Sequence, residues 1–209
     1  MTRLEKAIQD IQNGIPVVLV DDFDREFEGD IVLAAEKATK YNLNFAMRHA
    51  RGLMCLPCFK PLTDRLEIPM MHTNKNDKFG TPFTVSIDSV EGTTGMSVED
   101  RLKTIGVLLN DNSKPSDLCQ PGHLFPLSAK PGLLKERRGH TEGSVELMKM
   151  AGLKEVAVII EIMGEDGMMI KGEKLEDFAK IYNLQLISIE EIYEAQYGHE
   201  VVTTQSAAQ

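Results

Sequence analysis

Apolar residues at Leu4, Ala7, Ile8 and Ile11 recur at the i, i+3, i+4, i+7 spacing that gathers side chains on one face of a helix. Thr2 and Glu5 stand as a capping-box pair at its start, and Asn13-Gly14 ends it. Pro16-Val-Val-Leu-Val20 is a short continuous apolar run, the pattern of a buried strand, and it leads directly into the acidic stretch Asp21 to Asp30. Leu43, Ala46, Met47 and Ala50 return to the helical period and precede a strand near Met54. Phe83, Val85 and Ile87 alternate with Thr84, Ser86 and Asp88, which predicts a half-buried strand with its apolar side inward. Ser97 and Asp100 are placed to cap a helix through Val98, Leu102, Ile105 and Leu109.

Leu124 to Leu127 is strand-like and precedes a Gly-rich basic loop. Thr141 then opens a helix through Val145, Met148 and Ala151, closed by Gly152. Val156 to Ile162 is the strongest strand signal, followed by a helix through Leu175, Phe178, Ala179 and Tyr182 and a strand from Leu184 to Ile189. This order predicts an α/β (mixed α+β) fold, a single-domain mixed sheet flanked by helices over residues 1–201, with a flexible tail at 202–209. Strand order is not contained in the pattern.

Composition narrows the class of function. With 42% hydrophobic residues in 209, the chain can build a core without disulfides. Its apolar runs, such as Val156 to Ile160, fall far short of the roughly 20 residues that a bilayer crossing needs, and the N-terminus mixes charges into a helical pattern. A cytoplasmic protein without a membrane partner is expected. Acids outnumber bases 32 to 23, a net charge of −9 that repels a phosphate backbone, so a nucleic-acid partner is not expected. Cys55-Leu-Pro-Cys58 has the spacing of a zinc or redox motif, but no second pair completes it. On a strand, residues three apart face opposite ways, so both are read as small buried hydrophobes.

Candidate chemistry lies in five places. Asp21-Asp-Phe-Asp-Arg-Glu-Phe-Glu-Gly-Asp30 packs six carboxylates and one Arg into ten residues, a density that is either solvated or gathered around a hard cation such as Mg²⁺ or Mn²⁺. If extended, it turns Asp22, Asp24, Glu26 and Glu28 to one side. A calcium loop of the EF-hand type fails, because counting from Asp22 puts Phe27 where glycine is required and Leu33 where the closing glutamate belongs. Lys130, Lys135, Arg137 and Arg138, followed by Gly139-His-Thr-Glu142 at a helix start, make an anion site suited to a phosphate monoester, or simply a solvated basic loop. His123 and His140 sit at junctions between loops and regular elements, where either a proton-transfer or a structural role fits. Glu161 ends a buried strand, where α/β proteins commonly hold ligands, and Gly92-Thr-Thr-Gly95 is either a turn or a second anion contact through Thr94.

Taken in order, these segments resemble the 3,4-dihydroxy-2-butanone 4-phosphate synthase family of riboflavin biosynthesis. The likeness rests on the acidic stretch, Gly52-Leu-Met-Cys-Leu-Pro57, Gly80-Thr-Pro-Phe-Thr-Val85 and Gly92-Thr-Thr-Gly-Met-Ser97 with Asp100-Arg101. It continues through Lys114-Pro-Ser-Asp117, Pro121-Gly-His-Leu-Phe-Pro126, Arg138-Gly-His-Thr-Glu142, and Glu161 with Glu165-Asp-Gly167. The resemblance implies conversion of D-ribulose 5-phosphate to L-3,4-dihydroxy-2-butanone 4-phosphate and formate, by Mg²⁺-assisted enolisation, dehydration, skeletal rearrangement and formate loss. It implies a monofunctional lyase working as a homodimer with sites at the subunit interface.

By the same resemblance, Glu26 and His140 hold the metal, while His123 and Glu161 are catalytic. Arg25, Glu26, Asp30, Thr94, Arg137, Arg138, Gly139, His140, Thr141 and Glu161 bind substrate, with Arg137 favoured over Arg138 for the phosphate. Phe23, Gly164, Lys171 and Cys58 depart from the residues expected at their positions. A metal-dependent sugar-phosphate isomerase or aldolase would use the same acidic loop and anion site, and a non-catalytic metal or nucleotide-binding module would leave His123 and Glu161 without a task.

Overall fold

A computed structural model describes residues 1–22, 25–71 and 79–198. Among them, seven strands form one sheet: β1 (Val17–Val20), β2 (Gly29–Ala34), β3 (Cys55–Phe59), β4 (Ile87–Ser89), β5 (Leu118–Ala129), β6 (Ala157–Glu161) and β7 (Leu186–Ser188). The helices are α1 (Arg3–Gln12), α2 (Lys40–Ala50), α3 (Lys60–Arg65), α4 (Val98–Leu109), α5 (His140–Met150), α6 (Glu173–Ile181) and α7 (Ile189–Tyr197). Strand order is β4-β5-β3-β6-β2-β1-β7, with β1/β7 and β3/β5 parallel and the other pairs antiparallel. The mixed sheet flanked by helices is as predicted. No described helix is long and apolar enough to cross a membrane. The tail expected at 202–209, and Phe23 and Asp24 of the acidic stretch, lie outside the described residues.

Both faces of the sheet are covered. Ile31, Leu33, Leu56, Val158 and Ile160 pack under α2, α4 and α6, while Val17, Leu19, Val32, Cys55 and Ile159 pack under α1, α5 and α7. Cys58 belongs to the first face and Cys55 to the second, as two strand positions three apart require. Burial pushes the Cys58 thiol up to about 12, so it behaves as a hydrophobe.

Local signals explain where the helices start. Thr2 accepts from the Glu5 amide at 3.1 Å while Glu5 accepts from the Thr2 amide at 2.7 Å, so two amides that a helix leaves unpaired are satisfied reciprocally. Ser97 caps α4 by accepting from the Asp100 amide at 3.1 Å. The Asp100 side chain does not complete a box; it accepts from the amide and hydroxyl of Thr93 at 3.0 and 2.8 Å and ties down the Gly92–Gly95 turn.

The alternation is inverted in the fold at 83–86, while Ile87 inward and Asp88 outward are as expected. Thr84 and Ser86 are buried while Phe83 and Val85 are only half-buried, and β4 begins no earlier than Ile87. Buried hydroxyls are tolerated here because each has a partner: Thr84 donates to the Pro126 carbonyl at 2.8 Å and Ser86 accepts from the Gly122 amide at 3.1 Å. Three elements were not anticipated. β2 is buried at every position, so it lacks the period-two contrast of a half-exposed strand, α3 is only six residues long, and α7 starts at Ile189, inside the strand expected over Leu184 to Ile189.

Candidate active site

Among its described residues, the acidic stretch links two antiparallel strands: Asp21, Asp22 and residues 25–28 lie between β1 and β2, and Gly29 and Asp30 are the extended first residues of β2. β1 and β2 pair from Val17↔Val32 to Val20↔Gly29, and the Asp21 amide donates to the Glu28 carbonyl at 3.2 Å. Asp21 is buried and organises the turn, accepting from Arg25 Nη1 at 2.6 Å and from the amides of Glu26 and Glu28 at 3.3 and 2.9 Å. Its carboxylate is therefore occupied structurally. Arg25 also pairs with Glu26 at 2.7 Å, which faces a cavity of about 60 Å³.

Asp30 on β2 and Glu161 on β6 are cross-strand partners and line the same cavity. Asp30 is buried, its Oδ1 has no hydrogen-bond partner, and its pKa is raised well above the usual carboxylate value. Burial is the largest cause, reinforced by the neighbouring charges of Glu161, Glu26, Asp21 and Glu28. Glu161 Oε2 accepts from the Leu53 amide at 2.7 Å. Gly52 makes this approach possible, since a Cβ there would run into Glu161 Oε2 and the Glu161 carbonyl.

The start of α5 closes the cavity from the other side. His140 occupies the first helical position with Gly139 as the N-cap residue, and Thr141 follows, both side chains buried. The His140 ring bonds to the Leu19 backbone, its Nε2 has no partner, and burial lowers its pKa. A neutral imidazole with one nitrogen anchored to a carbonyl presents the other as a free ligand. Arg137 is held by Glu142 at 2.5 Å, by the Phe79 carbonyl at 3.2 Å and by Thr81 Oγ1 at 3.2 Å, and it lines the cavity as well. A Cβ on Gly139 would collide with the Arg137 guanidinium, so glycine leaves room for it.

Among the described residues no three His, Cys, Asp or Glu side chains converge as a ready-made metal cage. The cavity nevertheless fits a hydrated hard ion. Two of its buried polar atoms, Asp30 Oδ1 and His140 Nε2, lack partners, and Glu26 stands beside them. Mg²⁺ usually keeps several waters and takes only one or two protein ligands.

A family model described as 3,4-dihydroxy-2-butanone 4-phosphate synthase matches residues 5–195. The chain belongs to that family. It is 42% identical over 199 residues to the 3,4-dihydroxy-2-butanone 4-phosphate synthase of Serratia proteamaculans, covering 95% of this chain and 92% of that one. A solved synthase in complex with two magnesium ions superposes with a TM-score of 0.88 at 37% identity, covering 96% of this chain and 99% of that one. The two-domain synthase RibBX of A. baumannii gives a TM-score of 0.88 at 38% identity over 93% of this chain. This synthase-family chain spans 58% of that protein's length.

In this synthase-family chain, Arg25, Glu26, Asp30, Arg137, His140, Thr141 and Glu161 meet around one cavity, with Gly139 against its wall. Arg138 turns elsewhere, pairing with Asp22 at 3.4 Å and with Glu190, and its guanidinium lies 4.3 Å from the Tyr193 ring centre. His123 lies in a separate cluster with Asp88 and Gly95, and Thr94 is the exposed neighbour of that glycine. His123 Nδ1 is 2.6 Å from Asp88 Oδ2 and its amide donates to Asp88 Oδ1 at 3.0 Å, while a Cβ on Gly95, next to Thr94, would collide with both side chains. Asp88, Asp21, Glu142 and Cys55 were not singled out for these places. Asp88 is the alternate residue of a strand pattern, and no sequence signal distinguishes it from a solvent-facing one.

Proposed function

We propose that the protein converts D-ribulose 5-phosphate to L-3,4-dihydroxy-2-butanone 4-phosphate and formate, as a cytoplasmic homodimer using Mg²⁺ or Mn²⁺ held by Glu26 and His140. Family membership over nearly the whole chain supports the reaction. The observation that carries the site is the pair of buried, unpartnered polar atoms, Asp30 Oδ1 and His140 Nε2, in one cavity with Arg137 and Glu161. When bound, the ion supplies Lewis-acid polarisation of the sugar oxygens.

Arg137 takes the phosphate, since its guanidinium is pre-oriented by Glu142 and stands beside the N-terminus of α5. Thr141 adds a hydroxyl there. Glu161, anchored through one oxygen by Leu53, exchanges a proton with the sugar through the other. His123 acts from the neighbouring protomer. Its Nδ1 faces an acceptor-only carboxylate and so carries the proton, which leaves Nε2 to accept and return one. Thr94 reaches the sugar phosphate from the neighbouring protomer, as His123 does, and Arg138, held by Asp22 and Glu190, binds from outside the cavity lining.

Incubation with ribulose 5-phosphate and Mg²⁺, followed by proton NMR, is expected to show formate accumulating with loss of sugar. Added EDTA should abolish it and excess Mg²⁺ restore it. Conversion to another pentose phosphate without formate would make the protein an isomerase, and turnover insensitive to EDTA would remove the metal.

A further inference from the structure

The turn that carries Glu26 is gripped from outside by the segment that follows β6. This segment folds back on itself: the Gly164 amide donates to the Met168 carbonyl at 2.8 Å, Met163 bridges Met169, and the Ile170 amide returns to the Ile162 carbonyl at 3.2 Å. Its returning arm delivers Lys171, whose Nζ donates to the Glu26 carbonyl at 2.7 Å and pairs with Glu28 at 3.4 Å. The next residue, Gly172, holds a left-handed φ of +57°, and a Cβ there would touch the Phe27 ring at 3.5 Å. Lys171 thus contacts residues 26 and 28 of the acidic turn, and Gly172 leaves room for the Phe27 ring between them. Asp21 holds the same turn from within through the Glu26 and Glu28 amides.

We propose that Lys171 is a positioning residue for the reaction: by holding the Glu26 carbonyl it keeps that residue's carboxylate turned into the cavity beside His140. The proposal rests on the reading of Glu26 and His140 as metal ligands. Two effects of Lys171 oppose each other there. Its charge repels a cation, so an electrostatic role alone means that removing it tightens metal binding. Fixing the ligand's backbone does the reverse, and removing it loosens the metal.

The sign is measured without turnover, by calorimetric titration of Mn²⁺ into the full chain of wild type, Lys171→Met and Lys171→Arg. Lys171→Met is expected to weaken Mn²⁺ binding by about tenfold, and Lys171→Arg to recover most of it. In the same proteins kcat should fall for Lys171→Met with little change in KM, and amide hydrogen exchange at residues 25–28 should accelerate. The Lys171 side chain is 47% exposed, so both variants are expected to fold. Mn²⁺ binding by Lys171→Met as tight as wild type, or tighter, overturns the proposal. A wild type that binds no Mn²⁺, or binds it equally well as Glu26→Gln, overturns the metal site itself and Lys171's role with it.

Discussion

Asp30 sits where a carboxylate is least comfortable, buried, without a partner on Oδ1, and across the ladder from Glu161. Its raised pKa means that the folded protein holds a proton there which the unfolded chain releases above its ordinary value of 3.8. The stabilising contribution of that proton is complete below 3.8 and is lost as pH rises toward the folded value. Asp30→Asn is therefore expected to leave the thermal midpoint of the metal-free protein unchanged at acid pH and to raise it by several degrees at pH 8. Formate production should be lost. Melting curves in EDTA at both pH values check this, and a drop at pH 8 would mean that the carboxylate has a partner there. The six acids of this stretch were visible as a cation-site candidate, but their division of labour was not. Asp21 is consumed by backbone amides and Arg25, and only folding reveals which acid keeps a free oxygen.

Elements place these residues through close approaches that periodicity does not encode. The chain leaves α2 through Arg51 in the left-handed region, with φ of 76°, and Gly52 then lies against the end of β6, its amide donating to the Glu161 carbonyl at 3.0 Å. Gly52→Ala is expected to displace Glu161, lowering turnover by at least about 10²-fold and stability by roughly 1–3 kcal/mol. Steady-state formate release and urea unfolding measure the two losses, and a variant with wild-type turnover would show that the approach is dispensable. Helices were legible because caps and apolar stripes are local: Thr2 with Glu5, Ser97 with Asp100, and Leu43 with Ala46 and Ala50. Strands were less so. The alternation at 83–86 pointed the wrong side inward because Thr84 and Ser86 find partners at Pro126 and Gly122 of β5, satisfying their hydroxyls inside.

For the whole molecule, the telling arrangement is that His123 belongs to a cluster around Asp88 that shares no lining residue with the cavity holding Glu26 and His140. A site completed across a homodimer predicts complementation. Glu26→Gln and His123→Asn should each be nearly inactive, and a mixture in which subunits exchange should recover about a quarter of wild-type activity, because half the dimers then hold one intact site of two. Formate assays before and after mixing test it. Activity no higher than that of either variant alone would place all the catalytic groups within one protomer.

The amino-acid sequence by itself determined helices α1, α2, α4, α5 and α6, the buried strands β1, β3 and β6, and the set of segments in which chemistry lies, since each depends on neighbours a few residues apart. Tertiary structure decided the strand order, the pairing of Asp30 with Glu161, the removal of Arg138 from the cavity, and the grip of Lys171 on Glu26. Those contacts join residues far apart along the chain, the last of them 145 positions apart. They arise only when both faces of the sheet are buried at once, which no local pattern specifies.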